Sequence, residues 1–404
     1  MISDAEEAGT GFPVVPAETR ITAVTALEVR VPSLIASAEI SSPMDAHPAH
    51  RHRRSSWYGM MSQVLVSVTS SDGRTGIGCT NGGSASVAVI EDHLAALLVG
   101  TDPSDIEVLA DLCTRATIPY GPGGIAAMAV SGIELALWDL AGKRAGEPVY
   151  RLLARALGGQ DDPPTAAPIP AYASGNEPER FVDLGFEAVK MSMRAGPWDG
   201  ADGVRVNAGV LSRARKALGS DRDLMVDAWM GWDLDYIAQM SPLLADHNVR
   251  WLEEPLPPTS LPDNAEARRL AAPTALATGE HCHRIDEFTA LLDTAAVDIL
   301  QPDVSWCGGL TAAWRVWDKA ERQGVTVVPH LSGAVWGLHL VAARPGAQLA
   351  EWYVDTTSDQ EPGTAPSIFH GAPRPEAGAL RPSDEPGFGV RIDPAAVERW
   401  GRRR

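Results

Sequence analysis

Seven polar residues recur along the second half of this 404-residue chain, each at the C-terminal end of a short apolar run: Lys190, Asp227, Glu253, Glu280, Asp303, His330 and Glu351. From Asp227 onward the spacings are 26, 27, 23, 27 and 21 residues, one strand-plus-helix unit each. In a parallel barrel, equivalent ends of successive strands converge on the C-terminal mouth, where such enzymes keep their chemistry. A single polar strand end is as readily a solvated terminus; seven in phase form a pattern. Three successive carboxylates, Asp227, Glu253 and Glu280, offer only hard oxygen donors, which suit Mg²⁺ with positions left for water and substrate. The competing reading pairs Glu253 or Glu254 with a lysine or arginine. Asp303 and His330 follow, and a carboxylate beside an imidazole fixes its tautomer and raises its basicity, as a general acid/base requires. In "AVKMSMRAG", alternation puts Lys190, Ser192 and Arg194 on one face and Val189, Met191 and Met193 on the other.

These positions need elements to hold them. After the turn-rich "GGQDDPPTAAP" at 158–168, eight short apolar strands follow: "PIPAYASG", "AVKMSM", "DLMVDAWM", "VRWLEEP", "TALATGEH", "AVDILQPD", "VTVVPHLS" and "AQLAEWYV". They alternate with seven helical stretches such as "AGVLSRARKAL" and "TAAWRVWDKAERQG". This order predicts an α/β fold, a modified TIM barrel of (β/α)7β type, over residues 165–356. The first 150 residues mix both periods. "ITAVTALEVRVP" and "QVLVSVTSSDGRTGIGCT" read as strands, the second a hairpin about Asp72-Gly73, and helices are expected near 84–99, 105–116 and 125–143. They predict an N-terminal α+β capping domain over 21–158, preceded by a frayed acidic tail at 1–20. A polar, Pro-rich C-terminal tail, 357–404, is expected to pack back on that domain.

Composition removes several classes of function. Apolar residues at 45% supply a real core and exclude a mainly disordered chain. The formal charge of −18 argues against nucleic acid or an anionic membrane as partner, and leaves an anionic small molecule open where a metal or local basic groups offset the field. Cys79, Cys113, Cys282 and Cys307 lie far apart without CxxC spacing, as expected of reduced cytosolic thiols and not of a zinc site. The first twenty residues lack the basic start and apolar stretch of a signal peptide, and no apolar run is expected to reach membrane-spanning length. One dense basic cluster, "SPMDAHPAHRHRRSSWYG" at 42–59, holds His47, His50, Arg51, His52, Arg53 and Arg54. On so acidic a protein it reads as a solvated loop and not as a nucleic-acid or nickel site.

"VDAWM", "WLEEP", "TGEH", "QPDVSWCGG" and "VVPH", in this order and spacing, resemble the mandelate racemase branch of the enolase superfamily. The resemblance runs over about residues 60–392, including "SGIELALWDLAGKRAGEPVYRLL" and "PGFGV". Within the branch, "VKM", "LMVDAWM", "LPP", "GEH" and "QPDVSWCGG" look most like the L-rhamnonate dehydratases. The resemblance implies Mg²⁺-assisted removal of the proton α to a carboxylate. Asp227, Glu253 and Glu280 would hold the metal, and His330, paired with Asp303, would be the base. The loop at 42–59 would close over the barrel mouth and bring Arg53 or Arg54 to the substrate. His281 and Trp306 match family positions that flank the ligands and the dyad. Lys190 would face the substrate carboxylate or pair with a metal carboxylate, a purely structural ion pair being the alternative; His281 is a second substrate contact or proton shuttle, or a structural residue; Glu351, or Asp355 in the same "AEWYVD", would bond the substrate carboxylate. Relatives with two-sided chemistry carry Lys-x-Lys on the second strand. Lys190-Met191-Ser192 lacks the second lysine, as the rhamnonate dehydratase pattern does.

The function expected on these grounds is a lyase. It would take the C2 proton of an aldonate and eliminate the 3-hydroxyl to give a 2-keto-3-deoxy acid, acting in carbohydrate catabolism as a cytoplasmic homo-oligomer. The alternatives are a racemase, epimerase or cycloisomerase on the same scaffold, or a catalytically silent barrel.

Overall fold

The computed structural model describes residues 19–31, 40–47, 49, 62–160, 165, 167–344, 346, 349–353 and 367–402. Strands β1 (Ile21–Val29), β2 (Gln63–Ser70) and β3 (Thr75–Thr80) form an antiparallel sheet, β2 and β3 joined by the tight turn at Asp72-Gly73. Helical turns Gly83–Ala88, Val89–Leu94 and Ala95–Leu98 run on as α1, followed by α2 (Ile106–Thr117), α3 (Ile125–Ala145) and α4 (Val149–Ala156). Helix α3 is apolar nearly all round, the mark of a helix with no solvent face. It lies so close on β3 that a Cβ at Gly78 would sit 2.3 Å from the Gly132 carbonyl oxygen. Among the described residues α3 is the one helix long and apolar enough to cross a membrane, which corrects the expectation that no run reaches that length. Of its apolar 18-residue window 89% is buried within the protein, so its apolarity belongs to the core.

Two carboxylates interrupt α3, and both are joints. Glu134, fully buried, accepts the Leu310 and Thr311 backbone N–H groups at 2.9 Å each and the Trp138 indole N–H at 2.8 Å. Asp139 accepts from the Ile77 N–H at 2.7 Å and the Phe388 N–H at 2.9 Å.

The barrel then runs β4 (Ile169–Gly175), α5 (Pro178–Asp183), β5 (Ala188–Ser192), α6 (Gly200–Leu218), β6 (Asp223–Asp227), α7 (Leu234–Asp246), β7 (Val249–Glu253), α8 (Leu261–Ala271), β8 (Ala275–Thr278), α9 (Ile285–Asp293), β9 (Ile299–Leu300), α10 (Leu310–Arg322), β10 (Thr326–Val327), α11 (Val335–Ala343) and β11 (Ala350–Tyr353). Its parallel strands pair in the order β10-β9-β8-β7-β6-β5-β4-β11, the (β/α)7β order the sequence predicts. Among the described residues no ladder joins β10 to β11. That seam is closed by the Gly333 N–H on the Glu351 carbonyl at 2.7 Å and the Glu351 N–H on the Ser332 hydroxyl at 3.0 Å.

Past the barrel come β12 (Phe369–His370), β13 (Ala379–Leu380), β14 (Arg391–Ile392), α12 (Pro394–Trp400) and β15 (Gly401–Arg402). Strand β15 pairs with β1, so the chain end returns to the first sheet.

Candidate active site

Parity along the strands positions the site. Tyr172, Ala188, Met225, Trp251, Ala277, Ile299 and Val328 point inward and plug the barrel as one buried cluster. Alternation turns every second side chain the same way. One step of two therefore lifts each strand from the plug into a polar layer: Lys190 above Ala188, Asp227 above Met225, Glu253 above Trp251, Gln301 above Ile299 and His330 above Val328. The intervening Val189, Met191, Val226 and Leu252 belong to the core under the helices. The backbone turns left-handed directly beyond these residues, at Trp229 (φ 41°), Met230 (φ 61°), Glu254 (φ 37°) and Leu331 (φ 46°). Non-glycine residues in that region cost on the order of 1–3 kcal/mol each and cluster at sites where geometry is imposed.

Lys190, 2% exposed, is the centre of the polar layer. Its ammonium is bonded to Glu253 Oε1, lies 2.8 Å from Glu351 Oε1 and 3.9 Å from Asp227 Oδ2. Burial works against its charge, but Glu253 and Glu351 more than offset this and raise its pKa well above the usual lysine range. The other oxygen of Glu253 is held by Gln301 Nε2 at 2.6 Å and the Trp251 indole N–H at 3.0 Å. Burial would raise the Glu351 pKa; Lys190 and then His330 reverse this and hold it at about 2. Ser192 ends β5, and Arg194 lies exposed beyond it, its backbone N–H on Asn207 Oδ1 at 3.0 Å.

Two carboxylate–imidazole pairs stand opposite this lysine layer. His330 donates from Nδ1 to Asp303 Oδ2 at 2.7 Å, and Asp303 is itself fixed by the Ser305 N–H and hydroxyl at 2.7 and 2.6 Å. His330 Nε2 faces Glu280 Oε2 at 3.3 Å. His281 donates from Nδ1 to Glu254 Oε2 at 2.7 Å. Burial alone would lower both imidazole pKa values. Glu280, Asp303 and Glu351 instead bring His330 to about 10, and Glu254 and Glu280 bring His281 to about 9. Trp306 packs between the two rings, its centroid 5.5 Å from His281 and 5.3 Å from His330, and Trp229 lies 6.1 Å beyond His281.

Six carboxylates (Asp227, Glu253, Glu254, Glu280, Asp303 and Glu351) thus share Lys190, His281 and His330 as ion-pair partners. The surplus negative charge shows in two of them. Burial, joined by Glu254 and Glu253, pushes Glu280 up to about 7, and burial with Glu253 pushes Asp227 well above the usual carboxylate range. A buried, all-carboxylate surplus of this kind fits a hard divalent cation. Asp227 and Glu253 are register neighbours on β6 and β7, with Glu280 two residues beyond β8. Glu254, Glu280 and His281 also bring one donor atom each within 4.8 Å of one another, so Glu280 is common to both possible donor sets.

Of the residues singled out in the sequence, Lys190, Asp227, Glu253, Glu280, His281, Asp303, Trp306, His330 and Glu351 therefore meet at one mouth. The competing pairing of Glu253 with a lysine is also present, through Lys190. Arg53 and Arg54 lie outside the described residues, as do His50, Arg51, His52 and Asp355. The residue leading into the basic loop is described: the buried Ser41 donates from its N–H to the Met193 carbonyl at 2.7 Å and from its hydroxyl to the Ala228 carbonyl at 2.8 Å, across the ends of β5 and β6. Sequence reasoning did not assign Glu254, Gln301 or Trp229 to the site. Strand parity counted back from Asp303 finds Gln301; Glu254 falls on the wrong parity and enters only through its positive φ.

Comparison with known proteins agrees with this geometry. Residues 39–154 match the N-terminal domain of the mandelate racemase / muconate lactonizing enzyme family, and residues 175–396 match its enolase C-terminal domain-like partner. The chain is 35% identical over 359 residues to an L-rhamnonate dehydratase of Saccharopolyspora erythraea, covering 88% of this chain and 90% of that one. It superposes on the crystal structure of a Gibberella zeae rhamnonate dehydratase complexed with Mg with a TM-score of 0.87 at 30% identity, over 96% and 97% of the two chains. A racemase of Streptomyces coelicolor A3(2) with bound magnesium gives a TM-score of 0.77 at 26% identity, over 95% and 100%. A barrel that carries its carboxylates and its Asp–His pair on successive strand ends, under a matched N-terminal domain, belongs to the mandelate racemase / muconate lactonizing enzyme family of the enolase superfamily.

Proposed function

We propose that this protein is a Mg²⁺-dependent sugar-acid dehydratase of the L-rhamnonate dehydratase type. The observation that carries the reading is the convergence of Asp227, Glu253 and Glu280 with the His330–Asp303 pair, while Ser192 leaves the second strand without a base. Asp227, Glu253 and Glu280 are the proposed ligands. Gln301 and Trp251 orient Glu253, and such outer partners fix a ligand's direction. Bound there, Mg²⁺ supplies positive charge against the substrate carboxylate as negative charge builds on it.

The chain's own groups do the rest. The pull on His330 comes chiefly from Glu280, so engaging that carboxylate in ligation lets the imidazole pKa fall back toward neutrality. Neutral His330, its Nδ1–H held by Asp303, takes the C2 proton on Nε2. Lys190 and Glu351 flank the place where the substrate carboxylate gathers charge. The C3–O bond then breaks, and His330 returns the proton to the departing hydroxyl, which leaves as water. The enol left behind loses its O–H proton, gains one at C3 and becomes a 2-keto-3-deoxy acid. A positioned acid/base contributes about 10²–10⁴-fold to such a step.

The second reading is isomerisation, supported by His281–Glu254 as a further carboxylate–imidazole pair where Ser192 offers none. A panel of C5 and C6 aldonates, incubated with Mg²⁺ and assayed for 2-keto-3-deoxy acid, separates the two. Turnover lost in EDTA supports dehydration; deuterium incorporation at C2 in D₂O without dehydration supports isomerisation. The reading extends to a homo-oligomer in a reducing compartment, the latter supported by four free, buried thiols; light scattering checks the former.

A further inference from the structure

We infer that Asn81, a residue of the capping domain, is a positioning residue for the acid–base apparatus, because it aims the Trp306 indole between His281 and His330. Asn81 directly follows β3, and its side-chain oxygen accepts the Trp306 indole N–H at 2.9 Å. Trp306 is only 6% exposed, and its plane tilts 49° to the His281 ring and 46° to the His330 ring. Each imidazole donates from Nδ1 to a carboxylate, and His330 Nε2 also lies 3.3 Å from Glu280 Oε2. Contacts at the nitrogens lie in the ring plane and leave the tilt of each ring unfixed. An indole packed obliquely against both rings opposes that tilting.

The neighbouring contacts isolate the role of Asn81. The same loop is splinted by the capping domain at four other points. The Thr80 hydroxyl donates to the Ser305 carbonyl at 2.7 Å, the Gly308 N–H donates to Ser131 Oγ at 2.8 Å, and Glu134 takes the Leu310 and Thr311 N–H groups. Glycine is required at 309, where a Cβ would lie 2.1 Å from Glu134 Oε2. All four bonds engage backbone, of the loop or of the first turn of α10; the Asn81 bond engages the indole. Losing it should leave the loop in place and release the ring.

The geometry is independent of the proposed reaction, whereas the kinetic consequence rests on it, so the test has two arms. Asn81→Leu removes the acceptor at similar size, and Asn81→Asp restores it. In histidine-labelled, metal-free protein, the ring-current-shifted Cε1–H resonances of His281 and His330 should move toward unstacked positions in Asn81→Leu and return in Asn81→Asp. With aldonate and Mg²⁺, Asn81→Leu should lose about 10–10²-fold in kcat, as sub-ångström misplacement of a reacting group does, with KM changed less than about twofold and the Asp variant recovering most of the rate. Unmoved resonances in Asn81→Leu overturn the inference. So does a loss that the Asp variant fails to rescue, or one that follows only a fall in folded protein. If the wild type turns over no aldonate, the proposed function fails, and the resonance arm alone decides this inference.

Discussion

Lys190→Met removes the one cation that three inward carboxylates share, and the consequence has two opposite signs. Lys190, Glu253 and Glu351 are 2%, 0% and 2% exposed, so neither glutamate gains water when the ammonium goes. Removing one partner of a buried ion pair costs about 3–5 kcal/mol, because the other charge stays buried and unpaired. A barrel of roughly 190 residues unfolds with about 0.4 kcal/mol per kelvin of entropy at about 2.1 cal/mol/K per residue, so the melting temperature should fall by roughly 8–12 °C. The same substitution favours Mg²⁺. A buried ammonium bonded to a carboxylate ligand repels a divalent ion held there, and relief of that repulsion should tighten binding at least tenfold, about 1.4 kcal/mol. Thermal melts of wild type and variant, with and without millimolar MgCl₂, read both effects. The variant should melt lower without metal and gain more from Mg²⁺ than the wild type. A fall of less than about 3 °C, or equal gains from Mg²⁺, would refute the reasoning.

Two further predictions follow from other parts of the structure. Asp303→Asn takes the carboxylate acceptor from His330 Nδ1–H and permits the wrong tautomer, for which a loss of about 10³–10⁴-fold in kcat is expected at near-wild-type stability; steady-state kinetics showing less than a tenfold loss would remove the pair from the mechanism. His339, 1% exposed on α11, accepts the Tyr150 N–H at 3.1 Å, and burial pushes its pKa down to about 3. In the unfolded chain it titrates near 6.5, so between those values unfolding takes up a proton, and stability is lost as pH falls below 6.5, by about 2 kcal/mol from this group between pH 7 and pH 5. Melts across that range should therefore fall more steeply for the wild type than for His339→Asn, and parallel slopes would contradict the assignment.

The barrel was legible because each strand–helix unit repeats the same period, and a repeated period survives the ambiguity of any one short apolar run. The inward polar layer was legible for the same reason, since parity along β5, β6 and β7 carries Lys190, Asp227 and Glu253 upward from Ala188, Met225 and Trp251. What escaped lies where regular geometry ends. Glu254 reaches His281 only because its backbone turns to φ 37°, which no alternation rule foresees. Asn81 meets Trp306 across 225 residues of sequence, through the docking of two sheets that periodicity within either one does not encode. Helix α3 looked unlike a membrane span in the sequence because Glu134 and Asp139 interrupt it, yet both are buried acceptors for backbone N–H groups and leave it apolar enough to pass for one.

The central claim is that His330 takes the C2 proton of an aldonate under Mg²⁺. The most direct measurement follows the C2–H signal of L-rhamnonate by ¹H NMR in D₂O with saturating Mg²⁺, for wild type and His330→Asn side by side. The account predicts that wild type converts the acid to its 2-keto-3-deoxy product while the variant, folded to the same melting temperature, neither forms product nor exchanges the C2 proton. Product or C2 exchange in the variant at more than about one-hundredth of the wild-type rate, the lower bound on what a positioned base contributes, would show that another group takes the proton.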